Sequence, residues 1–402
     1  MNILFLTSTY PYPPHSGYQL RCYHFIRQLA ERHEIYLISF TRKMPKQSDL
    51  QAMQRLVTDQ WIVEGAYSSV SKALIGLFKP VPFHVFSHQS REFARALSNI
   101  CAKTRFDVIY SNFIYFTPYV RQFASPMTLK VLDQHNVDRD VWQKMARYEA
   151  SFPRRMYSLL NLLKTKRFEK QSYPLYDLVI SVSADDARIT REISPGSHVV
   201  EVASGVDCAE YKPPSRVLRD PYTILFTGSG ASRNLEAIRN FARNIFPNVR
   251  RAYPAAKFQV VGNINPAELK VERTLPGFEF VGKVENIKPY FWNASIFVAP
   301  FKLGGGAKLK IFEAMAAGLP VVGTPTGCQG IDGAEDGKHF LIAQSDDDFT
   351  AKVIGLLRDI ELRKSIARNG MRLVQERYDW RYLVSKLDGE LEEAYLKKVH
   401  IK

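Results

Sequence analysis

Val298-Ala-Pro-Phe-Lys-Leu-Gly-Gly-Gly-Ala-Lys-Leu-Lys-Ile-Phe-Glu-Ala-Met-Ala-Ala-Gly-Leu-Pro-Val-Val322 is the stretch that decides the fold. The apolar run Ser295-Ile-Phe-Val-Ala299, closed by Pro300, reads as a buried strand. Gly304, Gly305 and Gly306 follow, and a helical pattern opens at Ala307. Leu309, Phe312 and Met315 recur at three-residue steps with Ile311 beside them, which makes one face apolar. Gly318 and Pro320 end the helix, and Val321-Val322 begin the next strand. Strand, glycine-rich loop and helix N-terminus in this order form a cradle for phosphate in α/β proteins.

The residue types agree with that reading. Glycines let the backbone approach a ligand, and the first N–H groups of a helix point at an anion. Lys308 and Lys310 place two cations in the first helical turn, where positive charge opposes the helix dipole unless an anion is present. Glu313, one turn further on, is placed to accept hydrogen bonds from the hydroxyls of a sugar or ribose. The plainer alternative is a tight glycine loop with solvated lysines. Two lysines and a carboxylate at this offset favour a nucleotide site.

The segment 304–322 resembles the donor-nucleotide motif of family 4 glycosyltransferases with the GT-B fold. The resemblance implies an α/β chain of two Rossmann-like doubly wound parallel-sheet domains facing across a cleft. It also implies a nucleotide-diphosphate sugar as donor substrate, retention of anomeric configuration, and no metal or cofactor. By position, Glu313 would hold the ribose, and Lys308 and Lys310 with the Gly306-Ala307 backbone would face the diphosphate. Gly305 belongs to the same donor-binding set; many members carry a glutamate there that contacts the donor sugar. Asp133-Gln-His-Asn136 resembles the acceptor-side motif, which implies a catalytic positioning role for His135 and secondary roles for Asp133 and Asn136. The proline-rich loop ending at Gly17 resembles the N-terminal loop that reaches toward the donor phosphates. The loop Gly228-Ser-Gly-Ala-Ser-Arg-Asn234 would supply Gly228 and Arg233 to the diphosphate, with Asn234 capping the next helix. Ser204-Gly-Val-Asp207 resembles the turn that enters the second domain, and Tyr378-Asp-Trp-Arg-Tyr382 the point where the last helix crosses back. The implied division is an acceptor-side domain at 1–203, a linker at 204–221, a donor domain at 222–379 and a returning helix at 380–402.

Composition sets outer bounds. A chain of 402 residues is long enough for two cores. Its hydrophobic and charged contents, 46% and 24%, are those of an ordinary globular protein. The net charge of +15 is unevenly spread: residues 1–200 hold 26 Lys/Arg against 16 Asp/Glu, and the remainder 29 against 24. A basic N-terminal half suits an anionic partner, such as a phospholipid surface or lipid-linked phosphate. Its lysines are not organised with stacking aromatics, so no nucleic-acid partner is expected. Cys22, Cys101, Cys208 and Cys328 lack metal-ligand spacing and point to a reducing compartment. The N-terminus lacks a basic start, and no run approaches the ~20 apolar residues of a spanning helix. A cytoplasmic protein is expected, peripheral at the inner membrane face.

Taken in order, Asn2-Ile-Leu-Phe-Leu6, a helix over 18–31 and Glu34-Ile-Tyr-Leu-Ile-Ser-Phe40 form a right-handed βαβ unit. The apolar, aromatic segment 72–86 reads either as an interfacial segment or as a helical lid over the acceptor cleft. Strands follow at 106–110 and 130–133. Arg154-Arg155 and Lys164-Thr-Lys-Arg167 flank Met156, Leu159, Leu160, Leu162 and Leu163 in a basic helical region, the strongest membrane-surface candidate. Asp185-Asp186 and Asp346-Asp-Asp348 read as helix starts rather than metal ligands. Further strands are expected at 176–183, 199–202, 223–227, 257–261 and 278–284. The leading function is a retaining glycosyltransferase with a glycan or lipid-linked acceptor, in cell-surface polysaccharide or lipid-linked glycan synthesis. The alternatives are a non-catalytic nucleotide-sugar-binding module and a nucleotide-sugar epimerase.

Overall fold

The computed structural model describes residues 1–65, 70–149, 151–215, 218–303 and 306–400. The chain divides into two compact units, Met1–Ala203 together with Val384–Lys402, and Ser204–Leu383. Each is an α/β unit built on one parallel sheet.

The first unit contains β1 (Asn2–Thr7), β2 (Glu34–Thr41), β3 (Asp59–Glu64), β4 (Val108–Asn112), β5 (Leu129–Gln134), β6 (Leu178–Ser181) and β7 (Val199–Glu201). They lie in the order β3-β2-β1-β4-β5-β6-β7, all parallel. Ile3, Leu4, Phe5 and Leu6 are fully buried in succession. Such continuous apolar runs are what a parallel sheet covered on both faces requires. The strand order reverses between β1 and β4, and the carboxyl ends of those strands are where such sheets bind ligands.

The second unit contains β8 (Thr223–Thr227), β9 (Lys257–Val261), β10 (Phe278–Gly282), β11 (Ile296–Ala299), β12 (Val321–Gly323) and β13 (Leu341–Ile342). Their order is β10-β9-β8-β11-β12-β13, again all parallel, with the reversal between β8 and β11. The last long helix, Trp380–His400, starts in this unit, and from Val384 onward it belongs to the first. There Arg32 and His33 pair with Asp388, each at 2.5 Å, while Tyr395 donates to Asp107 and Lys398 pairs with Asp177.

Two local readings are corrected and one element is added. The strand β3 falls where no strand was expected, while the segment 72–86 is helical within Val70–Leu77 and Phe83–Ser87, followed by the helix Arg91–Lys103. The helix after the triple glycine begins at Leu309, with Lys308 as its N-cap, two residues later than its apolar pattern indicated. Part of the stretch read as linker is folded, since Asp207 caps the short helix Cys208–Tyr211 by accepting from the N–H of Glu210 at 3.0 Å. The aspartate runs do sit at helix starts, where the caps are Ser183 and Ser345.

Candidate functional site

In the second unit the donor-side candidates collect where the sheet order reverses. After β8 the chain passes through Gly228 into the helix Ser232–Asn240; after β11 it leads to the helix Leu309–Ala316. Gly262, at φ +141°, packs against the first of these loops: a Cβ there would sit 1.8 Å from the Gly228 carbonyl oxygen, so only glycine permits the approach. Asn234 does not cap its helix as expected. Its amide is buried and donates to the Ser229 carbonyl at 2.8 Å.

Lys310 is fixed by the same group. Its Nζ donates to the Thr227 carbonyl at 2.5 Å and to Asn234 Oδ1 at 3.3 Å. It lies 4.7 Å and 5.0 Å from the ring centroids of Phe226 and Phe301. Lys308 donates to the carbonyls of Thr326 and Gly306 at 2.6 and 3.0 Å. Neither lysine is freely solvated. Burial pushes the Lys310 ammonium down to about 7; Glu313 opposes this, while Arg233 and Lys308 add to it. Burial also lowers Lys308, and Arg233 again acts in the same direction. Arg233 itself is exposed. Burial raises the Glu313 carboxyl, while the Tyr211 phenol and Lys310 hold it down. Arg233 and Lys308 thus both repel the Lys310 ammonium, and Glu313 is the charged group that opposes them, an arrangement that a bound polyanion relieves. Gly306 has φ +67° with open space around its α-carbon, Ala307 is exposed beside it, and Gly305 lies outside the described residues.

In the first unit, β5 carries Asp133 and leads directly to His135. Asp133 is fully buried against Arg21 of the helix Gly17–Leu29. Arg21 Nε donates to both carboxylate oxygens at 3.1 and 3.0 Å, and Nη2 to Oδ1 at 2.8 Å. Nη1 donates to the carbonyls of Val202 and Ala203, both at 2.9 Å. Burial alone would raise Asp133, but Arg21 and then His135 hold it well below the usual carboxylate range. Asp133 was expected beside the reacting groups. It is instead sealed behind them, so any effect it has passes through its neighbours.

His135 Nε2 lies 3.5 Å from Asp133 Oδ2, longer than a hydrogen bond. The imidazole packs on Phe113 and Tyr18, with centroids at 4.6 and 5.1 Å. Burial lowers its basicity, which leaves it neutral at pH ~7. Phe113 adopts φ +85°, rare for a bulky side chain, and its backbone is tied by its N–H to the Asp133 carbonyl at 3.0 Å. Such strain concentrates at functional sites. Asn136 is exposed, as is Gly17, the first residue of a helix capped by Ser16.

A second cluster beside this one was missed in the sequence. Tyr115 stacks on Phe113 at 4.7 Å and on His88 at 4.5 Å, which extends the aromatic row away from His135. His84 Nδ1 accepts from Trp142 Nε1 at 3.2 Å, and its Nε2 lies 3.3 Å from Asp138 Oδ2. Burial lowers His84 to about 3 and raises Asp138 to about 7. The signal was present: Asp138 follows His135 at helical spacing, and His84 sits in the apolar, aromatic segment 72–86.

Residues 16–210 match the family model described as Glycosyltransferase Family 4, and residues 221–359 that described as Glycosyl transferases group 1. The chain is a GT-B glycosyltransferase of the group 1, family 4 type. It is similar to an uncharacterized 44.6 kDa protein in the cps region of Klebsiella pneumoniae, 22% identical over 96% of this chain and 99% of that protein. It is 29% identical to the phosphatidyl-myo-inositol mannosyltransferase of Mycolicibacterium smegmatis, over 50% of this chain and 53% of that one. Anabaena HepE in complex with UDP shares the fold at a TM-score of 0.66 and 13% identity, covering 98% of this chain and 100% of that one.

Among the described residues, one His/Asp/Glu group has metal-ligand spacing: His33, Asp388 and Glu392. Arg32 pairs with both of its carboxylates, at 2.5 and 2.9 Å, so the group reads as an ion-pair network.

Proposed function

We propose that this glycosyltransferase moves a hexose from a nucleotide-diphosphate sugar, with retention of configuration and without a metal, to a glycan or lipid-linked acceptor in cell-surface polysaccharide or lipid-linked glycan synthesis. The observation that carries the donor half is the convergence of Arg233, Lys308 and Lys310 beside Glu313. Fixed cations at this place stabilise the charge that develops on the departing diphosphate. Glu313 takes the ribose, while Gly228, Gly306 and Ala307 let the phosphates approach the backbone; Gly305 and Gly17 are included in the donor set by resemblance. UDP is bound by the HepE relative, and the similar mannosyltransferase acts on phosphatidyl-myo-inositol, in keeping with a nucleotide donor and a lipid-linked acceptor. Neutral His135 supports the cationic sugar and seats the acceptor hydroxyl, with Asn136 exposed beside it and Asp133 acting as a positioning residue. The half-buried His84–Asp138 pair adds acceptor-side polar groups.

The test is titration with UDP and GDP, followed by hydrolysis and transfer assays over a panel of sugar nucleotides in the presence of EDTA. One nucleotide should bind, and its sugar should be released or transferred. Binding without turnover identifies a module, an epimerised donor identifies an epimerase, and no binding at all removes the donor site. In the same assays His135→Ala should leave nucleotide affinity within about twofold while turnover falls about 100-fold, the scale of a misplaced reactant. Full activity in that variant would retire the role.

Lys310 makes donor binding pH-dependent. Below its pKa of about 7 the ammonium already exists, and this group leaves affinity flat. Above that pH, binding to the diphosphate must first restore the proton. Affinity for a nucleotide sugar, whose phosphates do not titrate in this range, should therefore fall by up to about tenfold per pH unit above 7. Lys310→Arg, which keeps its charge, should flatten the profile; an unaltered slope would remove Lys310 from the diphosphate.

A further inference from the structure

The helix Phe152–Ser172 is turned inside out. Its buried residues are Ser158, Asn161, Leu162, Thr165, Glu169 and Ser172, all but one of them polar. Phe152, Met156, Leu159, Leu160 and Leu163 are exposed, Phe152 by 74% and Leu163 by 66%. An ordinary surface helix has the opposite arrangement. The orientation is held from within. Asn161 Oδ1 accepts from the backbone N–H of Phe83 at 2.9 Å, and Glu169 accepts from the backbone N–H and Nε of Arg139 at 3.0 and 2.6 Å. The leucines are therefore left outside by bonds the helix makes elsewhere.

A second helix with exposed apolar side chains is joined to this one. Lys164 Nζ donates to the carbonyls of Gly76 and Leu77 at 3.0 and 2.8 Å, which satisfies the C-terminal end of the helix Val70–Leu77 and joins the two elements. Leu74, Ile75 and Phe78 are exposed on or just beyond that helix, Phe78 by 90%. Isolated apolar side chains on a surface need no explanation, but a group of eight on two joined helices does. The charge carried by the two segments themselves has one sign. Lys79, Arg154, Arg155, Lys166 and Arg167 are exposed around the face, and neither 72–86 nor 152–168 contains an Asp or Glu.

We infer that this face docks on an anionic lipid bilayer, the apolar side chains entering the headgroup–acyl boundary and the cations lying against lipid phosphates. Apolar anchors interspersed with cations complement a negatively charged, hydrocarbon-backed surface. No helix of the described residues is long and apolar enough to cross a membrane, so the two helices lie in the plane of the interface. The inference stands on its own and needs no particular donor or acceptor.

The experiment is co-sedimentation with phosphatidylglycerol–phosphatidylcholine vesicles, compared with vesicles of phosphatidylcholine alone. The wild-type chain should bind the anionic vesicles, bind the neutral ones much more weakly, and be released by salt. Arg154→Glu/Arg155→Glu should lose at least about fivefold in partitioning for each cation removed, and Leu159→Gln/Leu163→Gln more than about tenfold. Both variants should keep wild-type far-UV circular dichroism and thermal melting, which separates loss of docking from loss of fold. Failure of the wild type to bind anionic vesicles overturns the inference, as does binding that neither variant weakens. A concentration-dependent dimer abolished by Leu163→Gln would assign the face to a second copy and overturn it equally.

Discussion

Glu313→Ala should lower nucleotide affinity by about 100-fold, or roughly 3 kcal/mol, the scale for losing hydrogen bonds to a charged group. Two effects combine. The first is loss of the carboxylate proposed to hold the ribose hydroxyls. The second is indirect and follows from the electrostatics of the cluster. Burial pushes Lys310 down to about 7, and of the charged groups acting on it only Glu313 pulls upward. Without that carboxylate, burial and the repulsion from Arg233 and Lys308 are unopposed, and Lys310 becomes neutral at pH ~7. One substitution thus removes a ribose contact and a phosphate contact together. Glu313→Gln separates them, because the amide keeps an acceptor for ribose but abolishes the charge that supports Lys310. Its loss should be intermediate at neutral pH and should shrink at pH ~6, where Lys310 is protonated again. Isothermal titration with the nucleotide found to bind reads both variants, and thermal melting controls for fold. Unchanged affinity in Glu313→Ala would take this helix out of the donor site.

The same cluster shows what could be read from the chain alone. Lys308, Lys310 and Glu313 are local in sequence, and a helix opening just after the triple glycine is enough to bring them to one neighbourhood. The parallel sheets were legible for the same reason, since apolar runs such as Ile3 to Leu6 and Phe297 to Ala299 alternate with helical patterns. Contacts made across the chain were not legible. Tyr211 faces Glu313 across about 100 residues of sequence, and it lies in a stretch whose prolines read as linker. Asn234 follows a loop of small residues and looked like a helix cap; its amide is drawn away by the carbonyl of Ser229. His84 and Asp138 are 54 residues apart, and only the packing of the helix Phe83–Ser87 brings them together. The inverted face of 152–172 was half legible: the basic, leucine-rich composition was visible, but which side turns inward depends on Phe83 and Arg139. Arg21 left the faintest trace. It sits one turn before Phe25 on an otherwise apolar helical face, and a charge in that position demands a buried partner that sequence cannot name.

That partner is Asp133, and breaking the pair should produce the largest stability effect in the molecule. Asp133→Ala leaves the Arg21 guanidinium fully buried without a counter-charge, held by the Val202 and Ala203 carbonyls and the face of the Phe25 ring. An arginine cannot shed its proton to escape, so the first unit should lose about 3–5 kcal/mol at neutral pH, a deficit that shrinks only below pH ~4, where the wild type itself loses the pair. Arg21→Met is the milder lesion, because the stranded carboxyl can take up a proton. Wild type and Arg21→Met should depend on pH in opposite directions. In the wild type the folded-state pKa of Asp133 lies below its unfolded value near ~4, so the stabilisation is complete above that value and fades as the pH falls through it. With Arg21 gone, burial becomes the dominant influence and the folded pKa rises above the unfolded one. Arg21→Met should then gain stability relative to wild type as the pH is lowered from ~7 toward ~4. Hydrogen exchange resolved by peptide keeps the units apart: β1 and β5 should lose protection in both variants, while β8 and β11 should retain it. Replacing both partners together, as Arg21→Met/Asp133→Leu, should recover most of the loss, because no unpaired charge remains buried. If Asp133→Ala melts no earlier than wild type, or if Arg21→Met follows the wild-type pH profile, this ion pair does not organise the helix–strand junction beneath His135.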